Sequence, residues 1–150
     1  MIDTQIIELK ARSLLFDALW ADDIEVAIPV RDRGIDFIAY VDHGKKGDFV
    51  ARPIQVKAAS TASFGVDKKY QKFADLLIVY IWNVESPANV RFIVTDYKEA
   101  CSVARRKGWL RTPTWEMKGK YSTSKPDKRL KDILSGFQVS AGGWRKRLLK

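Results

Sequence analysis

The chain has 150 residues, 46% of them hydrophobic and 30% charged, with a net charge of +9 and a single cysteine. That length and balance describe one soluble globular domain, 1–150, large enough for its own core. They exclude a disulfide scaffold and a Cys/His zinc cluster, because Cys101 and His43 stand alone, and a membrane-spanning helix, because the longest apolar run, 76–82, is strand-sized. Asp3 and Glu8 sit among helix formers near the start, which does not read as a secretory signal, so a cytoplasmic setting is expected.

Residues 2–21 read as a helix that starts at the capping candidates Asp3 and Thr4 and stops at Asp22-Asp23. At about 100° per residue two apolar sectors appear. One holds Ile7, Ala11, Leu14, Leu15 and Ala18; the other holds Ile2, Leu9, Phe16 and Trp20. Between them runs a stripe of Gln5, Glu8 and Arg12, so Glu8 is expected to face the protein body, a costly place for a lone carboxylate. A local Glu8–Arg12 pair at i, i+4 is the plainer explanation.

Residues 24–30, 34–42 and 49–59 read as three consecutive strands, joined by a tight turn at 32–34 and a Gly/Lys loop at 43–48. Residues 60–72 read as a polar loop with a helical turn, and 75–82 and 90–95 as two further strands around a turn with Pro87. Residues 97–107 have helical spacing and end at Gly108, with Cys101 as a small core residue. Beyond 108 the chain reads as irregular through 126, followed by a short helix at 127–134 and a Gly-punctuated basic tail. The expected order is α-β-β-β-(α)-β-β-α with an irregular basic segment at 108–150: an α/β class, a mixed sheet flanked by helices, with its core in 2–107.

Chemistry concentrates in two of these strands. Asp36 interrupts the apolar series 35–41, and nineteen residues later comes Gln55-Val56-Lys57. Alternation puts Gln55 and Lys57 on one face and Ile54, Val56 and Ala58 on the other. Burying an acid, an amide and a lysine on adjacent strands is expensive without a task. A carboxylate, a second oxygen donor and an ammonium are what metal-assisted phosphodiester cleavage requires. Each residue also has a structural reading: Asp36 can pair with Arg33, and Gln55 and Lys57 can be a solvated strand face. Ser60, Thr61 and Ser63, just past the lysine, are weak candidates for phosphate contacts. His43 reads as surface, and Trp82, Trp109 and Trp115 as core anchors.

Glu8 on the first helix, Asp36 in Gly34-Ile35-Asp36-Phe37 and Gln55-Val56-Lys57 together resemble the PD-(D/E)xK nuclease superfamily, the restriction-endonuclease-like fold. The resemblance covers about residues 2–95. Gln55 departs from it, since most members carry an acid there; a Q-x-K variant occurs in some intron homing endonucleases. The resemblance implies catalytic roles for Glu8, Asp36, Gln55 and Lys57. It implies Mg²⁺ or Mn²⁺ held by Asp36, Gln55, the Val56 carbonyl and Glu8. Lys57 would hold the attacking water, and Arg12 a neighbouring phosphate.

Charge points the same way. Residues 1–97 carry 12 basic and 14 acidic side chains, whereas 98–150 carry 15 and 4, so the positive excess lies in the last third. Such asymmetry favours a polyanion, with nucleic acid first (double-stranded DNA in the leading expectation) and an anionic membrane second, although a solubilising surface is the plainer reading. Candidate DNA contacts are Arg12, Arg31, Arg33, Lys45, Lys46, Arg105, Arg106, Lys107, Lys118, Lys120, Lys128, Arg129, Arg145, Lys146 and Arg147. The leading expectation is a metal-dependent endonuclease acting as a homo-oligomer, a dimer or higher, so that two sites meet two strands. The alternatives are a non-catalytic DNA-binding module on the same fold, or an interaction subunit of a defence or mobile-element system.

Overall fold

A computed structural model describes residues 3–42 and 49–150. His43, Lys45, Lys46 and Ile2 lie outside the described residues.

Helix α1, Thr4–Ala21, begins where the Asp3 carboxylate accepts the Gln5 N–H at 2.9 Å, the capping bond a helix start needs. It buries one stripe, Ile7, Ala11, Leu15 and Leu19, spaced by four. Of the second apolar sector's described residues, Leu9 is 65% exposed and Trp20 52%. Among these three described residues Phe16 alone reaches inward, edge-on to Phe37 at 5.2 Å between centroids. The sheet covers a single side of the helix, and the buried stripe takes in Leu19, which belongs to neither expected sector.

Strands β1, Glu25–Ala27, β2, Phe37–Asp42, and β3, Phe49–Ala58, form the expected antiparallel meander. β1 stops well short of residue 30, ahead of Pro29, which has no N–H to give a ladder. β2 starts later than residue 34 because Gly34 sits in the left-handed region at φ 94, with its N–H on the Asp32 carboxylate at 3.0 Å.

From β3 the chain makes strand β4, Phe64–Asp67, and a 3₁₀ turn, Lys68–Tyr70, before β5, Leu77–Trp82, pairs parallel to β3. The helical turn expected within 60–72 is the 3₁₀ turn, while the short strand β4 stands where a loop was expected. β6, Arg91–Thr95, follows antiparallel to β5. β5 is buried along its whole length. Leu77, Val79 and Ile81 pack into the core beneath α1, whereas Ile78, Tyr80 and Trp82 pack into a second core on the other face. A strand buried on both sides reads as a continuous apolar run, as 77–82 does.

The last third is more ordered than expected. After α2, Tyr97–Arg106, come α3, Pro113–Lys118, β7, Lys120–Thr123, α4, Lys128–Ser135, β8, Gln138–Val139, and α5, Trp144–Leu149. Thr112 and Asp127 cap α3 and α4, and Gly119 turns the chain at φ 67. β8 adds to the edge of β6, completing a six-stranded mixed sheet in the order β1-β2-β3-β5-β6-β8. β7 pairs antiparallel with β4 as a separate two-stranded ribbon. The second core lies between the sheet and α2, α3 and α4, and takes in Trp109, Trp115 and Leu130, with Cys101 half-buried beside it. α5 returns to the first core, where Trp144 and Leu148 pack with Phe92 and the α1 stripe. Burying a ring the size of Trp144 is worth about 4–6 kcal/mol before entropy is charged. Trp82, Trp109 and Trp115 are core anchors, as their sequence context suggested.

Candidate functional site

The β2–β3 ladder ends at the Phe37–Ile54 pair, while β3 runs on to Ala58 against β5 alone. Residues 55–58 therefore have an open edge on the β2 side. There α1 and the residue preceding β2 close a cleft of about 270 Å³, lined by Glu8, Arg12, Asp36, Gln55, Val56, Lys57, Ala58 and Ser63. All four side chains singled out as an acid, an acid, an amide and a lysine thus border one space.

Asp36 replaces the missing rung. Its N–H donates to the Ile54 carbonyl at 2.9 Å, and its Oδ2 accepts the Val56 N–H at 2.7 Å. Its Oδ1 accepts from Arg12 Nη2 at 3.4 Å. The carboxylate is 11% exposed, so these contacts stand in for most of its water. The expected alternatives to this geometry do not form: Arg12 turns to Asp36 rather than to Glu8, and it is Arg12, not Arg33, that pairs with Asp36.

Gln55 lies beside this carboxylate on β3. Its Oε1 is buried and has no hydrogen-bond donor among the described residues. A buried carbonyl oxygen without a partner costs about 1–3 kcal/mol, so an acceptor left in that state beside an acid marks a place where a cation or donor belongs. Lys57 stands opposite Tyr80 in the parallel ladder, with its ammonium 5.4 Å from the centre of the Tyr70 ring. Val56 and Ala58 pack toward the α1 core, so the alternation read from sequence holds.

Glu8 departs from expectation. It borders the cleft, yet it is solvent-exposed rather than turned into the body, because Ile7 and Ala11 occupy the buried positions of that helical face. Among the described residues it makes no ion pair. No group of three or more His, Cys, Asp or Glu side chains that could hold a metal occurs among the described residues. The side-chain oxygen donors bordering the cleft are therefore two carboxylates, one recessed and one at the rim, the Gln55 amide and the Ser63 hydroxyl.

No protein-family model, curated protein or solved structure matches the chain. The chemistry of these side chains is the guide to what the cleft does. Carboxylate and amide oxygens suit a hard divalent ion, and the unpartnered Oε1 fits that ion's need for neutral oxygen ligands. An ammonium next to such an ion suits a phosphate.

The basic residues divide into two groups. Arg31, Arg33, Arg105, Arg106, Lys118, Lys120, Lys128, Arg129 and Lys146 are exposed, and Arg145 half so. Arg31 and Arg33 sit on the β1–β2 connection with the exposed Ile28 and Val30. Lys107 and Arg147 are different: only 14% and 12% of their side chains is exposed. Lys107 bonds Asp127 at 2.6 Å, joining α2 to the cap of α4, and Arg147 pairs with Glu99, joining α5 to α2. Their charge is spent inside the fold. Tyr70, which seats the Lys57 ammonium, had no signal in the sequence; its position depends on a 3₁₀ turn inside a polar stretch.

Proposed function

We propose that the chain is a metal-dependent endonuclease that hydrolyses phosphodiester bonds of double-stranded DNA on a PD-(D/E)xK-like core. The observation that carries this reading is the buried, unpartnered Oε1 of Gln55 beside the Asp36 carboxylate, with Lys57 on the same strand face. Asp36 and Gln55 would hold Mg²⁺ or Mn²⁺, with Glu8 at the rim supplying a further carboxylate. When bound, such an ion polarises a phosphoryl oxygen and makes a water acidic enough to attack near neutral pH.

The remaining work falls to the chain's own groups. Lys57 offers an ammonium to the charge that develops on the phosphoryl oxygens, with the Tyr70 ring centre 5.4 Å from its nitrogen. Arg12 is a positioning residue: its bond to Oδ1, with the Val56 N–H on Oδ2, fixes the direction in which the Asp36 lone pairs point. Exposed lysines and arginines of the last third supply phosphate contacts whose strength falls with salt. One cleft addresses one strand, so a double-strand break calls for a homo-oligomer or two successive nicks.

A second reading has its own observation. Both Asp36 oxygens already accept hydrogen bonds within the chain, as they would in a DNA-binding module that has lost cleavage. Supercoiled-plasmid nicking in EDTA, Mg²⁺ and Mn²⁺ separates the two. The enzyme reading expects nicking only with a divalent ion, and a loss of at least about a hundredfold in Asp36→Asn and Lys57→Ala while DNA retardation persists. Nicking in EDTA, or undiminished nicking by either variant, refutes it. DNA retardation with no cleavage in either ion establishes the second reading.

A further inference from the structure

Lys57 and Ser63 have a second side. Beyond them lies another cavity, of about 350 Å³, under the β4–β7 ribbon and against Ile78 and Tyr80 of β5. Its volume falls at the low end of the range that small-molecule sites occupy, about 300–1,000 Å³. One rung of the ribbon has no room for a second side chain: Gly65 faces Ser122 across the ladder, and a Cβ on Gly65 would come within 2.8 Å of the Ser122 Cβ. At the same rung the Gly65 carbonyl accepts the Tyr80 hydroxyl.

The lining has a consistent character. Tyr121, whose ring centroid lies 4.5 Å from that of Trp109, borders the cavity together with the hydroxyl-bearing Ser122 and Thr123. Lys120 brings a cation from the exposed edge of the ribbon. The one carboxylate of the lining, Asp67, is occupied: it caps the Lys69 N–H at 2.9 Å and lies 3.9 Å from the Lys69 ammonium. A cavity with aromatic and hydroxyl walls and its acid engaged suits a flat, uncharged ring with hydrogen-bonding edges. Cations at Lys57 and Lys120 suit a phosphate attached to that ring.

We infer that this cavity receives one unstacked nucleobase of the strand whose phosphate enters the cleft at Lys57. The inference rests on the phosphate reading of the cleft and adds a substrate class to it: a strand with a base that can leave its stack. Unstacking is cheapest at mismatched, damaged or single-stranded positions, so those are the preferred substrates. Stacking on an aromatic side chain tolerates any base, so the preference is for structure rather than sequence.

The test uses the wild-type chain, ¹⁵N-labelled, in EDTA. Four probes are titrated: deoxyadenosine 5′-monophosphate, thymidine 5′-monophosphate, deoxyribose 5-phosphate and inorganic phosphate. Both nucleotides are expected to bind at least about fivefold more tightly than deoxyribose 5-phosphate and to shift the Gly65 and Ser122 amides. A short single-stranded oligonucleotide should shift the same amides and be displaced by deoxyadenosine 5′-monophosphate. Ser122→Trp, which fills the cavity from the ribbon, should remove the nucleotide advantage and leave inorganic phosphate binding at the cleft. Equal affinity with and without a base, shifts confined to other surfaces, no binding by any probe, or nucleotide binding that ignores the oligonucleotide would each overturn the inference. These wild-type comparisons decide the matter even where Ser122→Trp fails to fold. Because EDTA removes cleavage from the measurement, the two readings fail separately. A chain that prefers nucleotides but never nicks DNA loses only the nuclease. One that nicks DNA without a base preference loses only the base pocket.

Discussion

Gln55 is held at a cost to stability, and replacing it should reveal how much. Its Oε1 is buried without a donor, a state worth about 1–3 kcal/mol against folding. Gln55→Met keeps the length of the side chain and removes the polar atoms. In EDTA the variant is expected to unfold with a free energy about 1–2 kcal/mol above wild type, the lower part of that range because methionine fills the space imperfectly. For a chain of this size that corresponds to a rise in Tm on the order of 2–8 °C. Excess Mg²⁺ should reverse the comparison. Wild type gains RT ln(1 + [L]/Kd), about 2.7 kcal/mol at a hundred times Kd, while the variant lacks one ligand and gains less. Scanning calorimetry of both proteins with and without Mg²⁺ reads all four states. A variant less stable than wild type in EDTA by more than about 1 kcal/mol would show that the amide has a partner of its own. An equal Mg²⁺ gain in both would show that the amide is no ligand.

Two further outcomes follow from the same geometry. Asp36→Ala strips the Val56 N–H of its acceptor and Arg12 of its counter-ion, and should cost about 2–4 kcal/mol in urea unfolding. Asp36→Asn, which retains an acceptor oxygen, should lose less than half of that; equal losses would mean that the hydrogen bond to Val56 contributes little. Burial pushes the Tyr80 phenol well above its ordinary value of 10.0, so the folded state keeps a proton that the unfolded chain gives up. Stability should hold below about pH 10 and decline above it, and Tyr80→Phe should make that decline shallower in urea midpoints measured across the range. An unchanged alkaline slope would contradict the assignment of that proton to Tyr80. Tyr97, pushed up by partial burial and by Cys101, adds to the same decline.

What could be read from the sequence was local in origin. The cap at Asp3, the alternation through Gln55-Val56-Lys57, the all-apolar run at 77–82 and the helix ending before Gly108 are written in contiguous residues, and each element stands close to where its pattern put it. The meeting of Asp36 with the β3 strand was legible because a hairpin fixes register over a short loop. What escaped depends on distant pairing. β4 and β7 are four residues each, and neither is stable without the other, about fifty residues away in the chain. β8 spans two residues and exists only as an addition to β6. The outward turn of Glu8 was hidden for another reason: helical phase orders side chains around an axis, but only the placement of the sheet decides which part of that circle is covered. Likewise Lys107 and Arg147 read as surface charge until Asp127 and Glu99 come into view beside them.

The first and last helices share one core, and this has a consequence for how the chain is made. Trp144 and Leu148 share one core with the α1 stripe and the sheet, Arg52 of β3 donates to the carbonyls of Leu148 and Lys150, and the Asp22 carboxylate at the end of α1 holds the Gly142 and Trp144 N–H groups. A nascent chain emerging from the ribosome therefore carries an unsealed apolar surface until residues 144–148 have been made. Through that interval it depends on chaperones or on dilution to stay out of aggregates.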